Sequence, residues 1–329
     1  MRQVLAAPDS FKGTFAAPAV AAAIGRGLER AGFPPTDLCP IADGGEGTMA
    51  ALLTTLGGET AGAEVSDPLG RPVRAGFGLI EDGATAIVEV AEASGLARLA
   101  EGELDPEAAS SRGTGELIVA AVHAGAQLVL VAAGGSATTD GGRGAIEAIA
   151  DAGGLGGARL VVLCDVRTPF EDAARVFAPQ KGADAAAVKR LSRRLDKLAF
   201  GWPRDPRRVA MTGAAGGLAG GLWATFGAVL EPGAPFVLDA LGYDARMRAA
   251  AAVIVGEGRL DETSLVGKAL GEAATRARQA GVPCFAIVGT NDLDPFGARM
   301  LDLQRVVEAP TLEAIERAAA SLSDLLPTR

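Results

Sequence analysis

The distribution of apolar and polar positions along the chain predicts alternating strands and helices. Residues 3–9, "QVLAAPD", form a short apolar run that ends in a proline and an aspartate. The following "APAVAAAIGRGLERAG" has helical spacing as far as Gly32. A second strand-like piece, "DLCPIAD", precedes the helical "GEGTMAALLTTLGG". This alternation is typical of a parallel sheet that is covered by helices.

The middle of the chain has a different pattern. Residues 60–92 contain three strand-like runs, "TAGAEVSD", "PVRAGFGLI" and "TAIVEVAEA", joined by the turns "DPLGR" and "EDGA", which predicts an antiparallel patch. The alternation resumes near residue 245 with the strand "AAVIVGEG". We therefore predict an α/β protein in which residues 1–67 and 245–329 build a doubly wound parallel-sheet domain of Rossmann or flavodoxin type. Residues 68–244 would form an inserted mixed-sheet α/β domain.

Composition excludes several classes of function. The chain has 329 residues and a net charge of −9 with no basic stripe, so a nucleic acid is not an expected partner. The single histidine, His123, lies in a helical stretch, and the three cysteines form no CxxC pair, which disfavours a histidine base or a zinc site. No signal peptide is apparent and the longest apolar passage is interrupted, so we expect a cytoplasmic protein without a membrane partner.

Acidic residues follow most of the predicted strands. In open parallel sheets the ligand lies beyond the carboxyl ends of the strands, where such residues would meet it. Any one of these carboxylates is as readily a helix cap as a catalytic group. Taken together, however, they suit proton transfer from a hydroxyl or a divalent cation. The acidic residues at these strand ends are Asp9, Asp43, Glu46, Asp140, Asp165, Glu257 and Asp261.

Lysines and glycines point to a phosphorylated ligand. Lys12 and Lys181 lie in the glycine-flanked segments "DSFKG" and "PQKG" and are candidates for phosphate contacts, whereas a surface role is as consistent for Lys268. The segments "DGGEGT", "RGTGEL", "GGSATTDGG" and "GAAGGLAGG" each open a predicted helix, and free amides at helix starts bind anions. No Walker A motif or GxGxxG follows a strand. The inventory matches phosphoryl transfer to a hydroxyl around magnesium.

The motifs resemble those of one family. "APDSFKGT", "ADGGEGT", "SDPLGRPV", "VEVAEASGL", "RGTGELI", "GGSATTDGG", "FAPQKGA", "GAAGGLAGGL" and "GEGRLDETSLVGK", in this order, closely resemble the bacterial glycerate kinases of the 2-kinase type. The resemblance implies two α/β domains with a cleft between them, and the reaction of ATP with (R)-glycerate, assisted by Mg²⁺, to give ADP and 2-phosphoglycerate. Two departures stand out: Thr139 replaces the usual Asn, and a few dozen residues are missing near 151–160.

The resemblance assigns positions to the chemistry. We expect Asp140 or Asp43 to accept the hydroxyl proton, and Lys12 and Lys181 to neutralise the transferring phosphoryl group. Asp165, Glu257 and Asp261 are candidates for magnesium. The predicted substrate contacts are Arg71 and Arg259, on the carboxylate, with Ser136, Thr138 and Asp9, although Asp9 is equally a helix cap and Arg71 equally a tie within its turn. The predicted nucleotide or phosphate contacts are Gly113, Thr114, Gly115, Gly134, Gly135, Gly216 and Gly217.

Other functions remain open from the sequence. A non-catalytic sensor of an organic acid or nucleotide would need the glycine loops but not the carboxylates. A nicotinamide-dependent hydroxy-acid dehydrogenase would also be an α/β protein, but the dinucleotide fingerprint is missing. Phosphorylation of the 3-hydroxyl, which would give 3-phosphoglycerate, is a further alternative. The sequence leaves the oligomeric state open, a homodimer included.

Overall fold

The computed structural model describes residues 2–265 and 267–326, which form an α/β protein. Its strands are β1 (Val4–Pro8), β2 (Asp37–Leu38), β3 (Glu59–Ser66), β4 (Pro72–Ile80), β5 (Thr85–Glu89), β6 (Leu128–Ala132), β7 (Arg159–Cys164), β8 (Val229–Pro232), β9 (Ala252–Leu260), β10 (Cys284–Asn291) and β11 (Leu303–Glu308). They make two separate sheets, which confirms the predicted α/β class.

Helices connect most of these strands. They are α1 (Ala17–Arg30), α2 (Thr48–Leu56), α3 (Val90–Ser94), α4 (Arg112–His123), α5 (Arg143–Asp151), α6 (Ala173–Phe177), α7 (Ala185–Phe200), α8 (Leu218–Phe226), α9 (Gly233–Ala240), α10 (Tyr243–Ala249), α11 (Ala269–Ala280), α12 (Pro295–Met300) and α13 (Leu312–Ser321). Short 3₁₀ turns, among them Pro179–Lys181 and Ala214–Gly217, lie between them.

The chain divides into two compact units. The first comprises Met1–Asp43, Ala50–Leu56 and Ala234–Arg329, and the second comprises Gly44–Met49 and Gly57–Gly233. The predicted domain limits, near residues 67 and 245, lie later in the chain than these unit limits. The difference at the first limit arises because β3 pairs along its length with β4 and therefore groups with the second unit. The domain assignment itself stays a prediction.

The first unit is built on a parallel sheet. Its strand order is β11-β10-β9-β1-β2, so the order reverses between β9 and β1, as in doubly wound folds. Every residue of β1 is buried, because helices cover the sheet. Helix α1 packs its apolar residues Val20, Ile24 and Leu28 into this core. Gly27 lets α1 approach α13, since a Cβ there would lie 2.2 Å from the Glu316 carbonyl oxygen.

The second unit has a mixed sheet with the order β3-β4-β5-β6-β7-β8. The β3–β4 and β4–β5 pairs are antiparallel, as the turns in the sequence predicted, and the remaining pairs are parallel. One prediction is wrong in detail. The third strand was expected to run to residue 92, but β5 ends at Glu89 and α3 begins at Val90. The Glu89 carboxylate is thereby placed at the carboxyl end of a parallel strand.

Candidate functional site

The first unit has a cavity of about 330 Å³ at the carboxyl ends of β1, β9 and β10, which we call the carboxylate pocket. It lies where the strand order of the parallel sheet reverses, the usual ligand position in such folds. Its lining residues are Asp9, Ser10, Phe11, Lys12, Thr14, Asp43, Glu257, Gly258, Arg259, Lys268, Gly289, Thr290 and Pro310. Six of the predicted site residues or candidate cations are therefore brought together here.

Two buried carboxylates dominate this pocket. Asp9 follows β1 and Asp43 follows the second strand-like segment, and they are 4% and 2% exposed. Burial raises the pKa of Asp9 well above its usual value, and the neighbouring charge of Asp43 raises it further. The Lys12 amine lies 3.1 Å from the Asp43 carboxylate and donates a hydrogen bond to it. Asp43 is thereby paired with a cation, whereas the environment of Asp9 favours the protonated acid.

Two carboxylates and two cations lie at or near the end of β9. Glu257 accepts a hydrogen bond from Ser264 Oγ at 2.5 Å, and its carboxylate lies 3.6 Å from the Lys268 amine. Burial raises the pKa of Glu257 in spite of these two partners. The Asp261 carboxylate lies 3.9 Å from Lys268 and 3.7 Å from Arg259. These two predicted magnesium ligands are thus already paired with cations.

The second unit has a cavity of about 240 Å³, which we call the lysine pocket. It is lined by Leu96, Ala133, Gly134, Gly135, Ser136, Asp165, Val166, Phe177, Gln180, Lys181, Ala215 and Gly216. The Lys181 side chain is 3% exposed, and its amine donates to the Thr138 carbonyl at 2.5 Å and to Ser136 Oγ at 3.4 Å. Burial lowers the pKa of Lys181 to about 7, while the charge of Asp140 acts to raise it.

Glycine backbone forms much of the wall of the lysine pocket. Gly135 has φ +67° and Gly216 has φ +65°, a left-handed conformation that disfavours other residues. A Cβ on Gly216 would lie 1.9 Å from the Thr138 carbonyl oxygen, so the loop around Thr138 and the loop at Gly216 lie against each other. The predicted site residues Gly134, Gly135, Ser136, Asp165, Lys181 and Gly216 all line this pocket.

Asp140 has a different environment from Asp43. Its carboxylate accepts hydrogen bonds from Ser111 N at 2.9 Å, Ser111 Oγ at 2.8 Å, Gly142 N at 3.0 Å and Gly144 N at 3.1 Å. These donors lie at the N-terminal ends of α4 and α5. Four hydrogen bonds occupy this buried carboxylate, whereas a base needs an oxygen that is available to the substrate. This geometry weighs against Asp140 as the base.

Three predicted phosphate contacts lie within α4. Gly113 and Gly115 let this helix pack closely, since a Cβ would lie 1.8 Å from the Ser66 carbonyl oxygen and 2.4 Å from the Ala145 carbonyl oxygen, respectively. Thr114 Oγ1 bonds Ser94 Oγ at 2.8 Å. Gly217 likewise packs against the ring of Phe170. The structure therefore explains these four residues by packing.

Arg71 is held in its own turn. Its guanidinium donates to Asp67 at 2.5 Å and to Glu103 at 2.6 and 3.1 Å. Arg259, the other predicted carboxylate contact, lines the carboxylate pocket and bonds Asp292 at 2.6 Å. The alternative that Arg71 ties down its turn is therefore the one that these contacts support.

Sequence reasoning missed several polar residues near these pockets. Ser264 lies in the motif "GEGRLDETSLVGK" and Gln180 in "FAPQKGA", but nothing else in the sequence marks them as site residues. Glu89 ends a strand, as the other singled-out acids do, but the predicted extension of that strand concealed it. Thr139 Oγ1 is buried and lacks a hydrogen-bond partner within residues 2–265 and 267–326. That residue is the one that departs from the usual Asn of the resembled motif.

A metal cage made of protein side chains is not present among the described residues, which contain no group of three or more His, Cys, Asp or Glu suited to a metal ion. Nor does any helix in the described part of the chain have the length and apolarity needed to span a membrane. The first unit thus has a pocket rich in carboxylates, and the second unit has a pocket with a buried amine and glycine loops. Concave pockets with a few convergent polar and titratable groups are typical of the sites where enzymes bind small molecules.

Comparison with known proteins agrees with this class. The model of the glycerate kinase family matches residues 4–152 and 152–326. The chain is 37% identical to the glycerate 2-kinase of Escherichia coli K12, over 88% of this chain and 85% of that one. It is 36% identical to a glycerate kinase of Bacillus subtilis 168, over 89% and 86%. The chain therefore belongs to the glycerate kinase family and is an enzyme, a kinase.

A solved structure confirms the fold. A crystal structure described as a glycerate kinase 2 from Salmonella typhimurium LT2 superposes with a TM-score of 0.84 at 32% identity, and the match covers 98% of both chains. The two parts of the family match meet at residue 152, in the loop between α5 and β7. That is where the sequence predicts a shortened segment.

Proposed function

We propose that this enzyme transfers the γ-phosphoryl group of ATP to a hydroxyl of (R)-glycerate, most directly the 2-hydroxyl, to give 2-phosphoglycerate and ADP. The names of the relatives support glycerate as the substrate. The observation that carries the chemistry is the buried Asp9–Asp43 pair, which lines a pocket at the strand-order reversal of a parallel sheet.

Asp43 is the proposed base. Its carboxylate lines the pocket and is paired with the Lys12 amine at 3.1 Å. Asp9 lines the same pocket, and burial and the charge of Asp43 raise its pKa. Two carboxylates whose environments differ in this way can divide the roles of proton acceptor and hydrogen-bond donor. Asp43 would take the hydroxyl proton, and Asp9 would donate a hydrogen bond to the substrate.

Cations and backbone amides would bind the anionic groups. Lys181 and the glycine loops of the lysine pocket suit phosphate oxygens, because a buried amine and backbone N–H groups stabilise negative charge strongly where water is excluded. In the carboxylate pocket, Lys12 and Arg259 suit the carboxylate of an organic acid. Ser136 and Thr138 lie beside the Lys181 amine and would add hydroxyl donors.

Magnesium fits this enzyme as an ion held mostly by phosphates and water. Mg²⁺ usually binds through one or two carboxylates plus substrate phosphates, so the lack of a three-carboxylate cluster in the described residues is compatible with it. Asp165, which lines the lysine pocket, is the proposed ligand. Glu257 and Asp261, the other two candidates, lie in the first unit, where Lys268 and Arg259 pair with them. The ion would neutralise charge on the transferring phosphoryl group.

The test is an ADP-release assay with purified enzyme, MgATP and (R)-glycerate, followed by phosphorus NMR of the product. A 2-phosphoglycerate signal is expected. A 3-phosphoglycerate signal would place the transfer on the other hydroxyl and contradict the assigned acceptor. No turnover with (R)-glycerate, tartronate or hydroxypyruvate would overturn the proposal, and ligand binding without turnover would then identify a sensor.

A further inference from the structure

Glu89 carries a buried carboxylate that the proposed chemistry does not use. It ends β5 and is 4% exposed. Its Oε1 atom accepts hydrogen bonds from Gly47 N at 3.0 Å and from Met49 N at 2.7 Å. These amides lie at the start of α2, about 40 residues earlier in the chain. The carboxylate of one strand therefore caps a helix and loop from a distant part of the sequence.

The Thr48 side chain does not cap the segment, residues 44–49, that Glu89 holds. Thr48 begins α2, and a Thr there could bond the helix amides, but its Oγ1 is buried without a hydrogen-bond partner among the described atoms. Gly44 and Gly47 have φ values of +88° and +95°, so the loop follows a path that other residues rarely adopt. The hydrogen bonds that the Gly47 and Met49 amides donate to Glu89 hold this unusual path in place.

The same segment packs against the lysine pocket. A Cβ on Gly134 would lie 2.6 Å from Gly45 Cα and 3.2 Å from Glu46 N, so the loop lies directly on the backbone of a pocket residue. Glu46 also lines a neighbouring cavity together with Gly135 and Arg98. Displacement of the loop would therefore disturb the Gly134–Gly135 wall, where sub-ångström placement matters for phosphoryl transfer.

We infer that Glu89 is a positioning residue for the reaction, which holds loop 44–49 against the glycine wall of the lysine pocket. This inference rests on the proposed function, since it names the reaction whose geometry the loop sets. Glu89 itself touches backbone amides and not the substrate.

The charge state of Glu89 gives this role a measurable signature. Burial raises the pKa of Glu89 to about 7, the Met49 and Gly47 amides oppose the rise, and the charges of Glu92 and Glu46 add to it. Glu92 is itself paired with Arg98 at 3.2 Å. Below pH 7 Glu89 takes up a proton, and its hydrogen bonds lose the charge assistance that strengthens them. Activity should therefore fall on the acidic side.

The experiment compares the wild type with Glu89→Gln in steady-state kinetics from pH 5.5 to 9, and in amide hydrogen exchange of residues 44–49. Gln keeps an oxygen acceptor, so the variant folds, but it resembles the protonated carboxyl at every pH. We expect kcat at pH 8 to fall about tenfold with KM for ATP nearly unchanged, since positioning acts on the transition state. We also expect the acidic limb to disappear and exchange at residues 44–49 to accelerate.

Glu81→Gln is the matched control, because Glu81 lies just before β5, at the opposite end of that strand, and accepts a hydrogen bond from Thr85 at 2.6 Å. It should leave kcat, the pH profile and exchange unchanged. An unchanged acidic limb and kcat in Glu89→Gln would overturn the inference. If the wild type proved inactive toward glycerate, the proposed function would fail by itself. Amide hydrogen exchange would then test whether Glu89 holds residues 44–49. Faster exchange in Glu89→Gln would support this attachment, and unchanged exchange would overturn it.

Discussion

The two pockets place different chemistry at the same kind of position. Both lie at the carboxyl ends of parallel strands, but the carboxylate pocket presents Asp9, Asp43 and Glu257, whereas the lysine pocket presents glycine backbone and the Lys181 amine. The second unit also has an acidic residue after a strand, Asp140. Its carboxylate accepts hydrogen bonds from three backbone amides and one hydroxyl. An acid that follows a strand can therefore line a pocket, as Asp43 and Asp165 do, or accept hydrogen bonds from helix starts, as Asp140 does.

The largest expected effect is on kcat and distinguishes Asp43 from Asp140. Asp43→Asn should lower kcat about 1,000-fold, the scale of general base catalysis, with the fold intact because the amide replaces the carboxylate at equal size. Steady-state ADP release would measure kcat, and a thermal melt would show whether the fold is intact. Asp151→Asn is the control, since Asp151 is an exposed aspartate on α5. Turnover within a few-fold of wild type in Asp43→Asn would remove Asp43 from the role of base.

The next effect concerns the amine that distinguishes the lysine pocket. Lys181→Met should lower kcat about 100-fold, because a preorganised charge opposite the phosphoryl group is lost. Stability at neutral pH should not fall, since an apolar side chain replaces a buried amine whose pKa is lowered to about 7. Lys189→Met, on the exposed face of α7, is the control.

The Lys181 charge also predicts a pH dependence. Because burial lowers its pKa to about 7, the amine of the unliganded enzyme loses its positive charge as the pH rises through that value. The wild-type kcat/KM profile should therefore have an alkaline limb that Lys181→Met lacks. An alkaline limb of the same position in both proteins would show that another group causes it.

The third effect is on stability and not on chemistry. Asp140→Asn replaces a carboxylate acceptor by an amide whose nitrogen faces backbone donors, so it should lower the free energy of unfolding by about 2 kcal/mol. The kcat of the folded fraction should stay within about threefold of wild type, because the carboxylate does not act on the substrate. Urea denaturation would measure the free energy of unfolding, and steady-state kinetics at low temperature would measure kcat. A loss of turnover by orders of magnitude at unchanged stability would return Asp140 to the role of base.

The sequence predicted the architecture better than the site. Apolar runs and turns predict the segments that form β1 to β5 and β9, since burial and turn chemistry are local signals, but they do not predict β8. Four of the acids that the sequence places after strands line pockets, and their roles there stay predictions: Asp9, Asp43, Asp165 and Glu257. What local sequence could not show is which donors reach a given carboxylate. The Ser111 partner of Asp140 is 29 residues away and the Met49 partner of Glu89 is 40 residues away.

The smallest effect compares the two arginines that the sequence treated alike. Arg71→Ala should leave KM for glycerate within about twofold of wild type, because the Arg71 guanidinium forms ion pairs with Asp67 and Glu103 in an exposed turn. Arg259→Ala should raise that KM about fivefold, since Arg259 lines the carboxylate pocket and offers a charge-assisted contact to an organic acid. Both measurements use saturating MgATP and varied (R)-glycerate. An equal rise in both variants would contradict the separation of a turn-stabilising arginine from a substrate contact. A rise in Arg71→Ala alone would reverse the assignment and move the substrate carboxylate to the Asp67–Arg71 turn.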